Sequence, residues 1–264
     1  YDTTCYVVSG NKKFKENLEN LLEFVFTPYF TDSNVEKERG IIKEEIHMRE
    51  DDPDYQTFYT LADNLYHEYP LKYPVAGREE DIDKINKELL YDCYNTFYNP
   101  SNMFLVIGGV FNKDEVVSIV NSKMNELGIT NVSEKVKKEE IHEKLEVVKE
   151  EETIIRKVRK DKLCIGYKMK RSSFPIKDDI ILDLYLNMII TINFGSSSLF
   201  QEKLRDNNLA VANGYNFDKA GDIITFLVEA DVLDEDNYMA LLNETLNDLK
   251  GDDKSLERIK KVWI

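Results

Sequence analysis

The chain alternates between stretches of helical periodicity and short breaks rich in Pro, Gly and Asn. From Asn11 to Phe26, apolar Phe14, Leu18, Leu21, Leu22 and Val25 recur on one helix face, and Thr27-Pro28 ends the run. A second helix runs from Val35 through Glu45, with Val35, Glu38, Ile42, Glu45, Ile46 and Arg49 on one ridge. Asp52, Pro53 and Asp54 supply the N-cap, first-turn proline and acidic first turn of a third helix reaching about Tyr66. Leu71 to Gly77, with Pro74, reads as loop. Asn86 caps a helix carrying Leu89, Leu90, Cys93, Tyr94 and Phe97, which Asn99-Pro100 stops. Met103 to Val110 is a nearly continuous apolar run, the pattern of a strand buried on both faces. Tyr1 to Val8 is β-branched and aromatic and reads as a strand. A short helix follows from Val116 to Met124.

Thr130 to Glu152 is rich in Lys and Glu and free of Gly and Pro, so it reads as a solvated linker or exposed helix without chemistry. Beyond it, Leu163, Ile165, Tyr167 and Met169 alternate along a strand, and an apolar helix spans about Pro175 to Thr191. Gly195-Ser196-Ser197-Ser198 then leads into a helix ending near Arg205. It has neither the spacing nor the lysine of a phosphate loop. Asp222 to Ala230 is a further strand, and Asp234-Glu235-Asp236 opens a helix lined by Tyr238, Leu241, Leu242, Leu246 and Leu249. Strand, acidic cap and helix here repeat the order of Met103 to Met124. The pattern predicts an α+β protein of two homologous domains, each a mostly antiparallel sheet with helices packed on one face. The boundaries are 1–130, a charged linker at 131–152, and 153–264. Tyr1 lacks an initiator Met and Arg258 to Ile264 is in mid-helix pattern, so the sequence reads as an internal piece of a longer protein.

Composition narrows the function. Fifty acidic against 35 basic residues give a net charge of −15, which repels a phosphate backbone and excludes nucleic acid as a partner. No apolar run approaches the length that spans a bilayer. Cys5, Cys93 and Cys164 are odd in number, far apart and without C-x-x-C spacing, so they read as buried reduced thiols in a cytoplasmic protein.

Glu38 and Glu45 are the candidate chemistry. A seven-residue step returns to nearly the same helix face, so both acids fall on the ridge with Val35 and Ile46. A carboxylate turned toward a core must be paired, hydrogen-bonded or bound to a metal. The alternative is an ordinary acidic helix in a chain with many acids.

The run Asn20 to Thr31, then Val35 to Glu45, Asp51-Asp52-Pro53-Asp54, His67-Glu68-Tyr69-Pro70 through Ala76-Gly77, and Phe97-Tyr98-Asn99-Pro100-Ser101-Asn102-Met103 resembles the pitrilysin/insulinase family of zinc peptidases, the inverzincins. The likeness is nearest to the bacterial two-domain members. It implies that residues 1–130 are the latter part of the zinc-site domain and 153–264 the first part of a non-catalytic homologous domain. It implies Glu45 as a zinc ligand and Glu38 as the second acid of the helix, supporting the site without holding metal. The family's H-x-x-E-H motif is not in this chain: His47, His67 and His142 are not spaced for it, and it would belong upstream of Tyr1. Arg205 matches an arginine that in some members contacts substrate backbone together with a nearby tyrosine. Here Val211 and Ala212 occupy the tyrosine's region, the nearest tyrosine is Tyr215, and a surface helix-end arginine is the alternative. The resemblance implies a zinc metalloendopeptidase that cuts unfolded peptides in a closed chamber, made by a homodimer or with a paralogous subunit. The alternative is a non-catalytic, peptide-binding subunit of a heterodimeric peptidase.

Overall fold

The computed structural model describes residues 3–130, 136–137 and 139–263. In chain order the helices are α1 (Phe14–Phe26), α2 (Asp32–Glu50), α3 (Pro53–Leu65), α4 (Glu79–Ile82), α5 (Lys87–Phe97), α6 (Lys113–Glu126), α7 (Asp179–Phe194), α8 (Leu199–Asp206), α9 (Glu235–Asn247) and α10 (Asp253–Trp263). The strands are β1 (Asp161–Lys170), β2 (Ala210–Ala220) and β3 (Ile223–Val232). The chain divides into two compact units, Tyr1–Ile46 with Val75–Glu139, and His47–Pro74 with Glu140–Ile264. The second unit therefore takes α3, which the sequence pattern groups with the first half.

The first unit is helical among the described residues. Leu18 and Leu22 of α1 bury against Val116 and Ile119 of α6, with Phe26, Ile107 and Met124 closing the cluster. Local polar groups fix the ends: the Asn86 side chain accepts from Leu89 N at 2.8 Å, and Asn112 accepts from Asp114 N at 2.9 Å. Lys123 lies on the buried side of α6 because Glu23 and Glu126 take its ammonium at 2.8 and 3.0 Å. The apolar run at Met103 to Val110 departs from expectation. It joins no sheet among the described residues, and Phe104 and Val106 are 82% and 79% exposed. Residues 3–8 likewise belong to no strand. A strand buried on both faces needs neighbours on either side, and the described residues of this unit hold none.

The second unit is built on an antiparallel sheet of order β1-β3-β2. Central β3 is buried on both faces along Ile223 to Val228, as its apolar sequence, interrupted only by Thr225, requires. On one face Phe226, Val228, Ala230 and Val232 pack with Phe194 of α7, Phe200 and Leu204 of α8, and Tyr238, Leu241 and Leu242 of α9. Leu163, Ile165, Tyr167 and Met169 of β1 and Tyr215 and Phe217 of β2 join them. Ala220, Ile223 and Leu227 face the other way, onto Ala62, Leu65 and Tyr66 at the end of α3. Gly166, opposite Leu227, makes that contact: a Cβ there would lie 2.4 Å from Leu65 Cδ1. Strand β2 was not foreseen, because Asn213, Gly214, Asn216 and Asp218 are poor strand formers.

By length and composition Asp179–Asp206 is apolar enough to cross a membrane, contrary to the sequence expectation. The stretch is two helices divided at Gly195–Ser198, and Leu182, Leu186, Phe194, Phe200 and Leu204 face the core.

The charged segment at 130–152 also departs from expectation, and residues 131–135 and 138 lie outside the described ones. Far from lacking a role, it inserts Glu143 into the second unit as a fully buried carboxylate. Oε1 accepts from His67 N at 3.0 Å and Lys168 Nζ at 2.9 Å, and Oε2 accepts from Glu68 N and Tyr69 N at 2.9 Å each. Lys168, 2% exposed, gives its other protons to Leu65 O and Glu146 O, and its ammonium stands 5.4 Å from the Tyr66 ring. Two donors on each carboxylate oxygen and three acceptors on the ammonium use nearly all the capacity of both groups. Further along the strap, Asn64 O accepts from Val148 N at 2.8 Å and Lys149 N at 3.1 Å.

Burial opposes ionisation of Glu143, but the three backbone N–H groups and the ammonium outweigh it and draw the carboxyl down to about 2 from an ordinary 4.5. A depressed folded value means that the stabilisation is fully present above pH 4.5 and is lost as pH falls toward 2. The linked free energy is on the order of 3 kcal/mol. Glu143→Ala strands the Lys168 ammonium and should cost about 3–5 kcal/mol in urea unfolding at pH 7. Between pH 5 and 2 this variant should lose less stability than the unaltered chain. Equal slopes for both would show that the pair contributes nothing.

Candidate functional site

Helix α2 carries the two candidate acids. Its inner face is set by Val35 and Ile46, both buried, and by Arg39 between them. Arg39 Nη2 donates to Ile85 O at 2.7 Å and its other arm pairs with Glu36, while Nε is buried without a hydrogen-bond partner. Lys43 is held by Glu79 and Asp83 at 3.2 and 2.7 Å, tying α2 to α4 and the residues after it.

Glu38 and Glu45 are both exposed, which corrects the expectation that they point inward. At 100° per residue the buried stripe centres between Val35 and Ile46, and the two acids fall roughly 80° to its side. They share a flank, as the seven-residue step requires, but the apolar stripe runs through Arg39 instead. Among the described residues, no group of three His, Cys, Asp or Glu side chains stands close enough to hold a metal ion. Zinc needs at least three protein ligands at a catalytic centre, so the residues present do not by themselves make a zinc site.

Arg205 is exposed near the end of α8 and donates to Ser196 O at 3.3 Å. The Gly-Ser run is a helix junction: Ser198 Oγ accepts from Gln201 N at 3.2 Å, and Arg258 donates to Ser197 Oγ at 2.8 Å. Tyr215 is turned into the core, stacked on Phe194 at 4.8 Å with its hydroxyl 3.3 Å from that of Tyr238. Burial pushes the Tyr215 hydroxyl far above its usual range. The structure thus gives Arg205 a contact with the junction before α8 and gives Tyr215 a packing role.

The cysteines are free, and Cys5 and Cys93 are exposed rather than buried. Cys164 is half-buried, and burial, with Glu229 and Asp54 nearby, pushes its thiol up to about 12. The groups that sequence reasoning missed are Glu143, Lys168 and Asp218. One signal existed: Leu163, Ile165, Tyr167 and Met169 take one face of β1, so Lys168 must take the other, beside the apolar β3.

Comparison with known proteins completes the assignment. Residues 84–262 match the family described as peptidase M16 inactive domain, more than half the chain. The chain belongs to the peptidase M16 family. Residues 1–79, which include α2, match the model described as insulinase (peptidase family M16). The uncharacterized zinc protease YmfH of Bacillus subtilis is 37% identical over 204 residues, 77% of this chain and 47% of that protein. The non-peptidase homolog YmxG of Helicobacter pylori is 26% identical over 110 residues, 42% of this chain and 26% of its own. An M16-like peptidase from Alicyclobacillus acidocaldarius superposes with a TM-score of 0.78 at 28% identity, covering 96% of this chain and 60% of that one. The chain spans about half the length of the first curated relatives it matches. M16-like neighbours carry the α+β fold of two homologous domains, and zinc belongs to the family through relatives named as zinc proteases.

The exposed and buried sides of α2 predict different sensitivities. Ile46→Ala should cost about 2–4 kcal/mol in chemical denaturation. Glu38→Gln and Glu45→Gln should leave the denaturation midpoint unchanged within error. A large destabilisation by either glutamine would mean that its carboxylate supports the fold.

Proposed function

We propose that the chain is part of an M16 zinc metalloendopeptidase that hydrolyses unfolded peptides in a closed chamber. Glu45 is a zinc ligand in this reading, Glu38 orients the site, and the remaining ligands come from residues outside this sequence. The supporting observation is α2 itself: the segment matched by the insulinase model presents Glu38 and Glu45 together on its solvent side. Arg205 is assigned to substrate backbone, for which it would have to leave Ser196. Two such chains, identical or paralogous, would enclose the chamber.

A second reading, a non-catalytic peptide-binding subunit, is favoured by the likeness to a non-peptidase homolog. The two differ in what the natural full-length protein does. In the enzyme reading, Glu45→Gln lowers zinc content and peptidase rate together, while Glu38→Gln lowers rate or affinity about 10- to 100-fold. Full zinc and full rate in Glu45→Gln would contradict the ligand role. A full-length protein that binds peptide but neither zinc nor cleaves supports the subunit. Light scattering should show a dimer or a heterodimer, and a monomer that cleaves peptides would refute the two-chain chamber.

A further inference from the structure

The second unit contains a cavity of about 370 Å³ on the α3 side of its sheet, which the peptidase reading does not use. Phe58 and Leu71 line it across from Asn216, Asp218, Leu227 and Glu229. The strand register fixes their order. Asp218 stands opposite Thr225, Asn216 opposite Leu227, and Gly214 opposite Glu229. Four residues along β3 separate the level of Asp218 from Glu229, about 13 Å. The cavity is therefore acidic at both ends and apolar between.

Asp218 is the group that lacks a counter-charge. It is half-buried, and its hydroxyl partner, Tyr66, is 3.4 Å away. Burial pushes its carboxyl above the ordinary range, and the Lys219 N–H and the Tyr66 hydroxyl offset this only in part. Lys168 lies in the same cross-strand row, two strands away, but its protons go to Glu143, Leu65 and Glu146. No ion pair involves Asp218 or Glu229 among the described residues. Between Lys168 and Asp218 in the row lies the fully buried Thr225, whose hydroxyl is within reach of the Tyr66 hydroxyl. A half-buried carboxylate without a counter-charge is costly unless something compensates it.

We propose that this cavity binds an arginine side chain of a peptide, with the guanidinium on Asp218 and the aliphatic stem between Phe58, Leu71 and Leu227. Charge complementarity selects the cation, the planar fork suits a carboxylate, and the apolar walls suit the stem. Exposed Glu229 lies at the far end and attracts the cation without burying it.

The test uses the full chain and two probes, N-acetyl-arginine methylamide and its neutral isostere N-acetyl-citrulline methylamide, with binding followed by NMR shifts. The arginine probe should saturate, with shifts at Phe58, Leu71 and Asp218, and citrulline should bind at least about tenfold more weakly. Asp218→Asn should weaken arginine binding about 10- to 100-fold. Should that variant misfold, Asn216→Arg, at an exposed strand position, places a tethered guanidinium in the cavity and should block the probe. Equal binding of the two probes, no saturation, or an unaltered affinity in a folded variant would overturn the inference. The readout needs no zinc and no turnover, so its failure leaves the peptidase reading standing.

Discussion

A buried carboxylate with all its lone-pair directions used organises the second unit. Glu143 gathers three successive backbone N–H groups, from His67, Glu68 and Tyr69, and the Lys168 ammonium. Those N–H groups lie past the end of α3, outside its helical hydrogen bonding, and as backbone donors in a buried setting they need an acceptor. Lys168 in turn takes the carbonyl of Leu65 at the same helix end. Strap, helix terminus and strand β1 are thereby joined at one point that hydrophobic contact alone would leave free to slide.

Packing then follows from that anchor. With the end of α3 fixed over β1, Leu65 meets the backbone of Gly166 without room for a side chain, and Tyr66 is fully buried over the sheet. Ala220, Ile223 and Leu227 complete the contact. The apolar cover stops short of Asn216 and Asp218 on β2, and the cavity opens there. An ion pair at one end of a cross-strand row and a carboxylate without a counter-charge at the other make the row electrically lopsided. That asymmetry distinguishes a binding position from a structural charge.

Much of this was legible in the residues. Helical periodicity with Asn86, Asp52 and Asp234 caps located α5, α3 and α9, because capping is local chemistry. The apolar alternation in β1 and the continuous run in β3 located two of three strands. Tertiary facts were harder to read. Strand β2 is held by pairing to β3 in spite of its Asn, Gly and Asp residues, so propensity concealed it. Glu143 lies in a Lys/Glu-rich stretch whose composition signals solvent, and nothing local tells it from its exposed neighbours. The ridge of α2 was misplaced for a related reason. Arg39, which lies off the ridge of Val35, Glu38 and Glu45, is drawn inward by Ile85 O, and Glu38 and Glu45 face outward. Their seven-residue relation survives that rotation, and the family assignment rests on motifs that do not depend on it.

Native-state hydrogen exchange at the amides of His67, Glu68 and Tyr69 tests the central claim most directly. These lie just beyond a helix end, where exchange is ordinarily fast. With their protons held by a buried carboxylate, they should exchange only with the global opening of the second unit, in step with the amides of β3. Exchange as fast as in an exposed loop would show that Glu143 does not hold this segment, and the account of the second unit would fail.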